Sequence, residues 1–238
     1  MTSRENFTRK ARFDYTPMPG GEKVIKEPWR MAVAYLYQTF GDDIFKAAPS
    51  FFKRFNQKDV TLIIMMVKKS IHSPLTSSVG RLFDAVSSLL GIRDMITFDG
   101  EAAIELEMAA DSNEKKEILS YPFRIIHDDP IIIDIKPLLK SIGEDLMKSL
   151  KTAVISYRFH HTLAMIIVEV SKILKTQCKV RDVVLSGGVF QNKLLFNFAE
   201  TYLEKEGFQV WFNERFPAND GGISLGQSVI AWERFKKK

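Results

Sequence analysis

The last third of the chain alternates between short apolar stretches and longer amphipathic ones. Residues 183–185 and 208–212 are typical of strands, and residues 192–205 and the final segment are typical of helices. Strands that alternate with helices in this way predict an α/β layer, in which ligands bind beyond the carboxyl ends of the strands. The loops at those ends, residues 186–192 and 217–222, are therefore the first candidates for a binding site.

A long helix is predicted before these elements, because the apolar residues from Phe159 to Leu174 recur every three or four positions. Earlier in the chain, Pro28 suits the first turn of a helix, and Ser77 or Ser78 can cap another one. The other predicted elements are an extended, surface-lying segment at residues 1–27, helices at 28–40, 51–55, 58–69 and near 102–110, and a hairpin of strands at 121–126 and 131–135.

Charge and cysteine content exclude several classes of function. The 238 residues carry a formal net charge of +5, to which the terminal Lys236, Lys237 and Lys238 contribute three charges. A dedicated nucleic-acid surface is normally more basic and more clustered, so we expect small anionic ligands and not nucleic acid. A single cysteine, Cys178, allows no internal disulfide and no cysteine-rich zinc site. No apolar run approaches the ~20 residues that span a bilayer, so we expect a soluble, cytoplasmic protein.

The first loop, residues 186–192, places two glycines between a buried strand and a helix. Backbone at Gly187 and Gly188 can approach a ligand closely because no Cβ intervenes, and a helix start offers N–H groups to an anion. A strand-to-helix turn can also need glycine for steric reasons alone. The loop has neither the lysine nor the spacing of a P-loop or a dinucleotide fingerprint.

The second loop, residues 216–224, places a carboxylate at a glycine turn just before a helix. Asp220 could hold a metal ion, or a nucleotide phosphate through a metal ion. Taken alone, the position favours a simpler role for Asp220 as the cap of the following helix.

The histidines show no metal-site spacing. His160 and His161 are adjacent and point in different directions on a helix, and the other two are isolated, which favours ordinary surface or core histidines. Three acidic residues, Asp84, Glu101 and Glu105, could bind ribose hydroxyls. Charged residues at helical spacing more often form a solvated face, so both interpretations stay open.

Taken together, several blocks of the sequence resemble the HypF family of carbamoyltransferases, which act in the maturation of nickel-iron hydrogenases. The blocks follow the family's order and extend over nearly the whole chain. They are PGGEK at residues 19–23, KEPWR at 26–30, LTSSVGRLFDAV at 75–86, EAAIELE at 101–107, YRFH at 157–160, SGGVFQN at 186–192 and NDGGISLGQ at 219–227.

The resemblance implies a lobe of the actin, sugar-kinase and Hsp70-like (ASKHA) fold, an α/β fold with a mixed sheet packed by helices. The same fold occurs in TsaD-type enzymes that modify tRNA. Residues 28–238 would form the nucleotide-binding lobe after the extended segment. The first lobe, with its paired metal-binding histidines, and the other HypF domains would be supplied from outside this sequence.

Carried over position by position, the resemblance implies two groups of nucleotide contacts and one catalytic metal ligand. ATP or a carbamoyl-adenylate is the expected ligand, with magnesium, and related domains hold iron or zinc. Phosphates and adenosine would contact Gly187, Gly188 and Asn192, the ribose side would be lined by Gly80, Asp84, Glu101 and Glu105, and the metal would bind Asp220.

The expected function is carbamoyl transfer to the C-terminal cysteine of a HypE-like protein, by a split or truncated HypF that works with a chain carrying the missing domains. One alternative is a non-catalytic remnant or interaction module, which would use the fold as a docking surface. Another is a relative of the tRNA threonylcarbamoyl transferases, which the wording of the motifs favours less. An absent lobe would leave an apolar face exposed, so self-association is also expected.

Overall fold

The computed structural model describes residues 7–110 and 120–236. These residues divide into two compact units. The helical unit consists of Phe13–Ile126 and Ile133–Thr162, and the C-terminal unit takes the described residues of Met1–Arg12, His127–Ile132 and Leu163–Lys238.

Helices make up most of the helical unit. They are α1 (Lys23–Lys26), α2 (Pro28–Phe40), α3 (Ile44–Ala47), α4 (Pro49–Phe52), α5 (Gln57–Lys69), α6 (Val79–Leu89), α7 (Glu101–Met108), α8 (Lys136–Met147) and the first turns of α9 (Thr152–Cys178). Helix α2 begins at Pro28, whose fixed φ suits a first turn and whose missing N–H would have no partner there. Eight of the 13 residues of α2 are buried, so this helix lies at the centre of the unit.

Helix α6 packs against α2 and completes the core of the helical unit. It begins after Ser78, whose Oγ accepts a hydrogen bond from the backbone N–H of Arg81 at 3.4 Å. The residues from Leu82 to Leu89 are all buried. Within this core the ring of Phe83 meets the ring of Phe159 on α9 edge-on, with centroids 5.1 Å apart.

The strands of the described residues form three small sheets. Strands β1 (Ala11–Phe13), β5 (Ile131–Asp134) and β4 (Arg124–Ile126) lie side by side in that order. Strands β2 (Thr16–Pro17) and β3 (Leu75–Thr76) pair antiparallel, with Thr16 opposite Thr76. The third sheet belongs to the C-terminal unit and consists of β6 (Asp182–Leu185) and β7 (Gln209–Phe212).

In the C-terminal unit, β6 and β7 are parallel and are joined by α10 (Lys193–Lys205). Register places Leu185 opposite Phe212, and the Phe212 ring packs edge-on against Phe196 of α10, with centroids 4.9 Å apart. Helix α10 therefore covers one face of this two-stranded sheet. The unit ends with α11 (Ile223–Phe235).

Most sequence predictions of elements are confirmed. Residues 28–40 are helical as predicted, Ser78 is the cap, and the strand–helix–strand–helix series at the end of the chain is present. The α/β class is confirmed too, although the strands of the described residues are spread over three small sheets instead of one mixed sheet. Helix α8 was not predicted, although Leu138, Leu139 and Ile142 follow a helical period and Pro137 suits its first turn.

The predicted extended segment needs a correction. Residues 11–13 and 16–17 are extended as expected, but Lys23–Lys26 is a helical turn. Thr16 and Val24 are buried, so the segment does not simply lie on the surface. Residues 1–6 of this segment, like Lys237 and Lys238, lie outside the described residues.

Two observations concern the cysteine and the membrane spans considered in the sequence analysis. The thiol of Cys178, the last residue of α9, is free and half-buried. Within residues 7–110 and 120–236, no helix is both long enough and apolar enough to cross a bilayer.

Candidate functional site

In the C-terminal unit, the two glycine-rich loops at the carboxyl ends of β6 and β7 come together. The backbone N–H of Gly187 donates to the carbonyl of Ala218 at 2.8 Å. A Cβ built on Gly188 would lie 3.7 Å from Cβ of Asn219. The loops thus form one continuous surface, at the edge of the sheet where α/β folds bind ligands.

The first loop owes its shape to Gly187, which has a φ of +108° that side chains rarely adopt. Gly188 does not have a positive φ, and a Cβ there would make only an ordinary van der Waals contact. Gly188 is therefore not required by the protein's own packing, and its missing side chain leaves exposed backbone at the loop. The buried Asn192 then caps α10, with Oδ1 accepting from the N–H of Leu195 at 2.8 Å.

The cap interpretation of Asp220 is wrong, because the neighbouring Asn219 is the capping residue. Asn219 Oδ1 accepts from the N–H of Gly221 at 3.0 Å, and Asp220 is the first residue of a short 3-10 turn. The Asp220 side chain is exposed and makes no hydrogen bond or ion pair with the described residues. Its carboxylate is thus available to an external ligand.

A metal site needs more than this one carboxylate. Across the described part of the chain, no place gathers three or more His, Cys, Asp or Glu side chains that could hold a metal ion. Asp220 suits the role of a single oxygen ligand, and the other ligands of a stable site would have to come from elsewhere.

In the helical unit, Gly80 and Asp84 lie on the first turns of α6. A Cβ on Gly80 would meet only Ser78 Oγ, at 3.5 Å. Asp84 is only 2 % exposed, and its Oδ2 lies 2.8 Å from Nη1 of Arg81. Burial raises the pKa of Asp84 to about 6, which Arg81 opposes and Asp99 reinforces.

The Glu101 and Glu105 carboxylates on α7 are engaged by the protein itself. Arg93 donates to both oxygens of Glu105 at 2.6 Å and lies 3.3 Å from Glu101. Glu101 Oε2 also accepts from the backbone N–H of Thr97 at 2.6 Å, which is the largest of the effects that lower the Glu101 pKa. Glu101 is buried, so it is not part of a solvated face. Both glutamates fix the segment of residues 91–100 that joins α6 to α7.

The adjacent His160 and His161 are buried core residues. The sequence had favoured ordinary histidines of the surface or the core. His160 is buried, and its Nδ1 lies 2.8 Å from the carbonyl of Ser156, which is the geometry of an Nδ1–H donor. Burial lowers the pKa of His160 to about 4. Nδ1 of the buried His161 lies 2.8 Å from Ser120 Oγ.

Arg81 and Arg93 of the helical unit were not predicted as site residues. Arg81 pairs with Asp84, and Arg93 holds Glu101 and Glu105, so each arginine sets the surroundings of a predicted site residue. The only available signal was spacing, since Arg81 precedes Asp84 by three positions on a helix.

The predicted site residues therefore form two groups, one in each unit. Gly80, Asp84, Glu101 and Glu105 belong to the helical unit, and Gly187, Gly188, Asn192 and Asp220 belong to the C-terminal unit.

This α/β architecture with a glycine-rich loop pair agrees with the family comparison. Residues 1–227 match the family described as carbamoyltransferase, Kae1-like domain, second subdomain. The chain therefore belongs to this family of HypF carbamoyltransferase domains.

Curated relatives give the same family. The chain is 33% identical to carbamoyltransferase HypF of Synechocystis sp. over 221 residues, which are 87% of this chain and 28% of the relative. It is 32% identical to the probable carbamoyltransferase HypF of Methanocaldococcus jannaschii over 213 residues, covering 88% of this chain and 27% of that protein. The chain thus spans less than a third of the length of these relatives.

Two solved structures share the fold. The crystal structure of a full-length HypF in a phosphate- and nucleotide-bound form matches 97% of this chain and 29% of its own, with a TM-score of 0.89 and 33% identity. T. kodakarensis HypF matches 98% of this chain and 31% of its own, with a TM-score of 0.85 and 23% identity. The predicted lobe of the ASKHA type is confirmed by this agreement.

Proposed function

We propose that this chain forms the nucleotide-binding part of a HypF-type carbamoyltransferase. The observation that carries the proposal is the pair of loops at the carboxyl ends of β6 and β7, held together by the hydrogen bond from Gly187 to Ala218. Family membership and the nucleotide-bound state of a 33% identical structure support the same ligand class. ATP or a carbamoyl-adenylate is the proposed ligand, bound with magnesium.

In this proposal the phosphates lie against the backbone of Gly187 and Gly188, where no side chain keeps an anion away. Asn192 borders the phosphates and adenosine at the start of α10. Gly80 and Asp84 line the ribose side, with Asp84 accepting from a hydroxyl. Arg93 pairs with Glu101 and Glu105, and Thr97 also donates to Glu101. These two glutamates therefore shape this side through the segment of residues 91–100.

The reaction we propose is attack by a cysteine thiolate on the carbamoyl carbon of the adenylate, with AMP as the leaving group. The acceptor is the C-terminal cysteine of a HypE-like protein, and the product is a thiocarbamate. Asp220 is the metal ligand that this chain contributes, for magnesium, iron or zinc. A bound metal would stabilise negative charge that develops on carbamoyl or phosphate oxygens.

The rest of the enzyme would come from the domains that the curated relatives have and this chain does not span, on a longer chain or on a partner. Such a division of binding groups makes the isolated chain a weak binder that tightens when the site closes.

Calorimetric titration of the chain with ATP and magnesium tests the proposal. We expect Gly188→Val to abolish binding, because a branched side chain would cover the backbone that the phosphates approach. Asn192→Ala should also abolish binding, and it removes a helix cap at a cost of about 1 kcal/mol.

Asn56→Ala is the matched control, since Asn56 caps α5 in the same way, accepting from the N–H of Lys58 at 2.8 Å. It should lose stability to a similar extent and keep ATP binding. The titration is repeated with a chain that carries the missing HypF domains, which should tighten binding. No binding of ATP in either experiment would contradict the proposal.

The second candidate function is an interaction module without catalysis, and the exposed apolar side chains of the C-terminal unit favour it. Val184 and Trp211 lie opposite each other on β6 and β7, on the face away from Phe196, and both are exposed. Surfaces of this kind mark contacts with other proteins or with a second copy of the chain. Concentration-dependent association in light scattering, without ATP binding, would favour this candidate.

For the third alternative, a relative of the tRNA threonylcarbamoyl transferases, the HypF relatives favour carbamoyl over threonylcarbamoyl transfer.

A further inference from the structure

One side of α6 carries buried polar side-chain atoms that lack a hydrogen-bond partner among the described residues. Within the residues that the structure describes, the buried side-chain nitrogen and oxygen atoms without a hydrogen-bond partner are Arg81 Nη1, Asp84 Oδ2 and Ser87 Oγ. The three residues are spaced by three positions, so they lie along one side of the helix. Buried polar atoms without partners are costly, and an external ligand is one way to satisfy them.

The pair formed by Arg81 and Asp84 has an unusual geometry. Nη1 and Oδ2 lie 2.8 Å apart, which makes an ion pair, yet the N–H does not have the direction that a hydrogen bond needs. The two charges attract each other while Oδ2 keeps its capacity to accept a hydrogen bond. Arg81 is 15 % exposed and also lies 3.5 Å from Asp99 through Nη2, so its guanidinium is held from two sides.

Helix stability does not explain this arrangement. Arg81 lies in the first turn of α6, where the positive end of the helix dipole disfavours a cation. An arginine that precedes its acidic partner along a helix is also the less favourable order. The pair therefore has a local purpose at Asp84.

We infer that Arg81 is a positioning residue for nucleotide binding, which holds the Asp84 carboxylate in place as the acceptor for a ribose hydroxyl. The inference rests on the proposed function, in which Asp84 lies on the ribose side of the nucleotide. Without a nearby positive charge, a carboxylate as buried as Asp84 would tend to take up a proton and lose the charge that makes it a strong acceptor. Besides Arg81, the charged and titratable groups among the described residues that face Asp84 are Asp99 and Tyr35 of α2. Burial raises the pKa of Tyr35, which keeps it neutral.

The test compares ATP with dideoxy-ATP, which lacks both ribose hydroxyls, in calorimetric titrations of the full chain. We expect the wild type to prefer ATP by about tenfold or more, the effect of a hydrogen bond to a charged acceptor. Arg81→Gln should bind both nucleotides with equal affinity, and Arg81→Lys should restore part of the preference because it restores the charge. If Arg81 had a purely structural role, Arg81→Gln would weaken the binding of both nucleotides equally. The ratio of the two dissociation constants would then stay unchanged.

The pH dependence of the preference for ATP over dideoxy-ATP gives a second readout. Protonation of Asp84 removes the negative charge that makes it a strong acceptor, so the wild-type preference for ATP should fall as the pH falls through about 6, the pKa of Asp84. Arg81→Gln, which is expected to bind both nucleotides equally, should show no preference at any pH in this range.

The possible outcomes separate this inference from the proposed function. A wild type that binds no ATP would overturn both. A wild type that binds ATP, with an Arg81→Gln variant that keeps the preference, would overturn the role of Arg81 and leave the proposed function standing. Should Arg81→Gln not fold, Arg81→Lys takes its place: a preference for ATP smaller than that of the wild type supports the inference, and an unchanged preference overturns it.

Discussion

Two helices of equal length show how differently the two units are built. Helix α2 of the helical unit and α11 of the C-terminal unit both have 13 residues. Eight residues of α2 are buried, whereas none of α11 is. Helix α11 nevertheless carries Trp232 and Phe235, and Phe235 is 71 % exposed.

The difference teaches that apolar residues serve two purposes in this chain. In the helical unit they close a core, which also fixes buried polar groups such as Asp84 and His160. In the C-terminal unit, α10 buries its apolar residues Leu195, Ala199 and Leu203, whereas those of α11 lie on the surface, on the helix that follows the loop of Asp220. Exposed apolar surface of this kind favours contact with another domain or chain, which fits the proposal that the active site is completed from outside.

The largest effect expected from this comparison is on stability. Phe83→Ala should lower the free energy of unfolding by about 3–5 kcal/mol, because it leaves a cavity beside Phe159 in the core of the helical unit. Phe235→Ala makes the same chemical change on α11. It should alter the free energy of unfolding by no more than about 0.5 kcal/mol. Urea unfolding followed by circular dichroism measures both. Equal losses in the two variants would break the comparison and show that α11 belongs to a core.

A smaller effect is expected from His160, again in the helical unit. Burial lowers its pKa to about 4 from 6.5, so its contribution to stability is present above pH 6.5 and is lost as the pH falls toward 4. The full loss corresponds to about 3 kcal/mol. His160→Gln has no titrating ring, so its free energy of unfolding should fall less steeply over that window. Urea unfolding at a series of pH values checks this, and equal slopes for wild type and variant would refute it.

The contrast between the units also explains what the sequence could predict of the fold. Local signals were strong at α2, where Pro28 begins the helix, and at the capped helix after Ser78. At α8 the apolar period of Leu138, Leu139 and Ile142 was overlooked, and no local signal could show that Thr16 is buried. Burial of such a residue depends on its pairing with Thr76, which is distant in the sequence.

For the site, sequence motifs identified the glycine loops and Asp84, but not how their side chains are held. Asn219 and Asp220 are adjacent, and either could cap a short helix, so only the structure separates the cap from the free carboxylate. Likewise, the pairing of Arg93 with Glu105 depends on the path of residues 91–100, which no local pattern determines.

The smallest expected effects come from a pair of glycines, one in each unit. Gly80→Ala should raise the free energy of unfolding by about 0.5–1 kcal/mol, because alanine is favoured over glycine in a helix and its Cβ would meet only Ser78 Oγ, at 3.5 Å. Gly187→Ala should lower it by about 1 kcal/mol or more, since a φ of +108° strains any side chain.

Thermal unfolding and ATP titration of these two variants together sharpen the comparison. Gly187→Ala should lose both stability and ATP binding, because the substitution strains the loop that carries the proposed phosphate contacts. Gly80→Ala should gain stability while its affinity for ATP falls, because the new Cβ occupies space on the proposed ribose side. A stabilised Gly80→Ala variant that binds ATP as well as the wild type would remove Gly80 from the proposed site. Gly226→Ala on α11 is the control, since a Cβ there has nothing within 4 Å and adds helix propensity away from the proposed contacts.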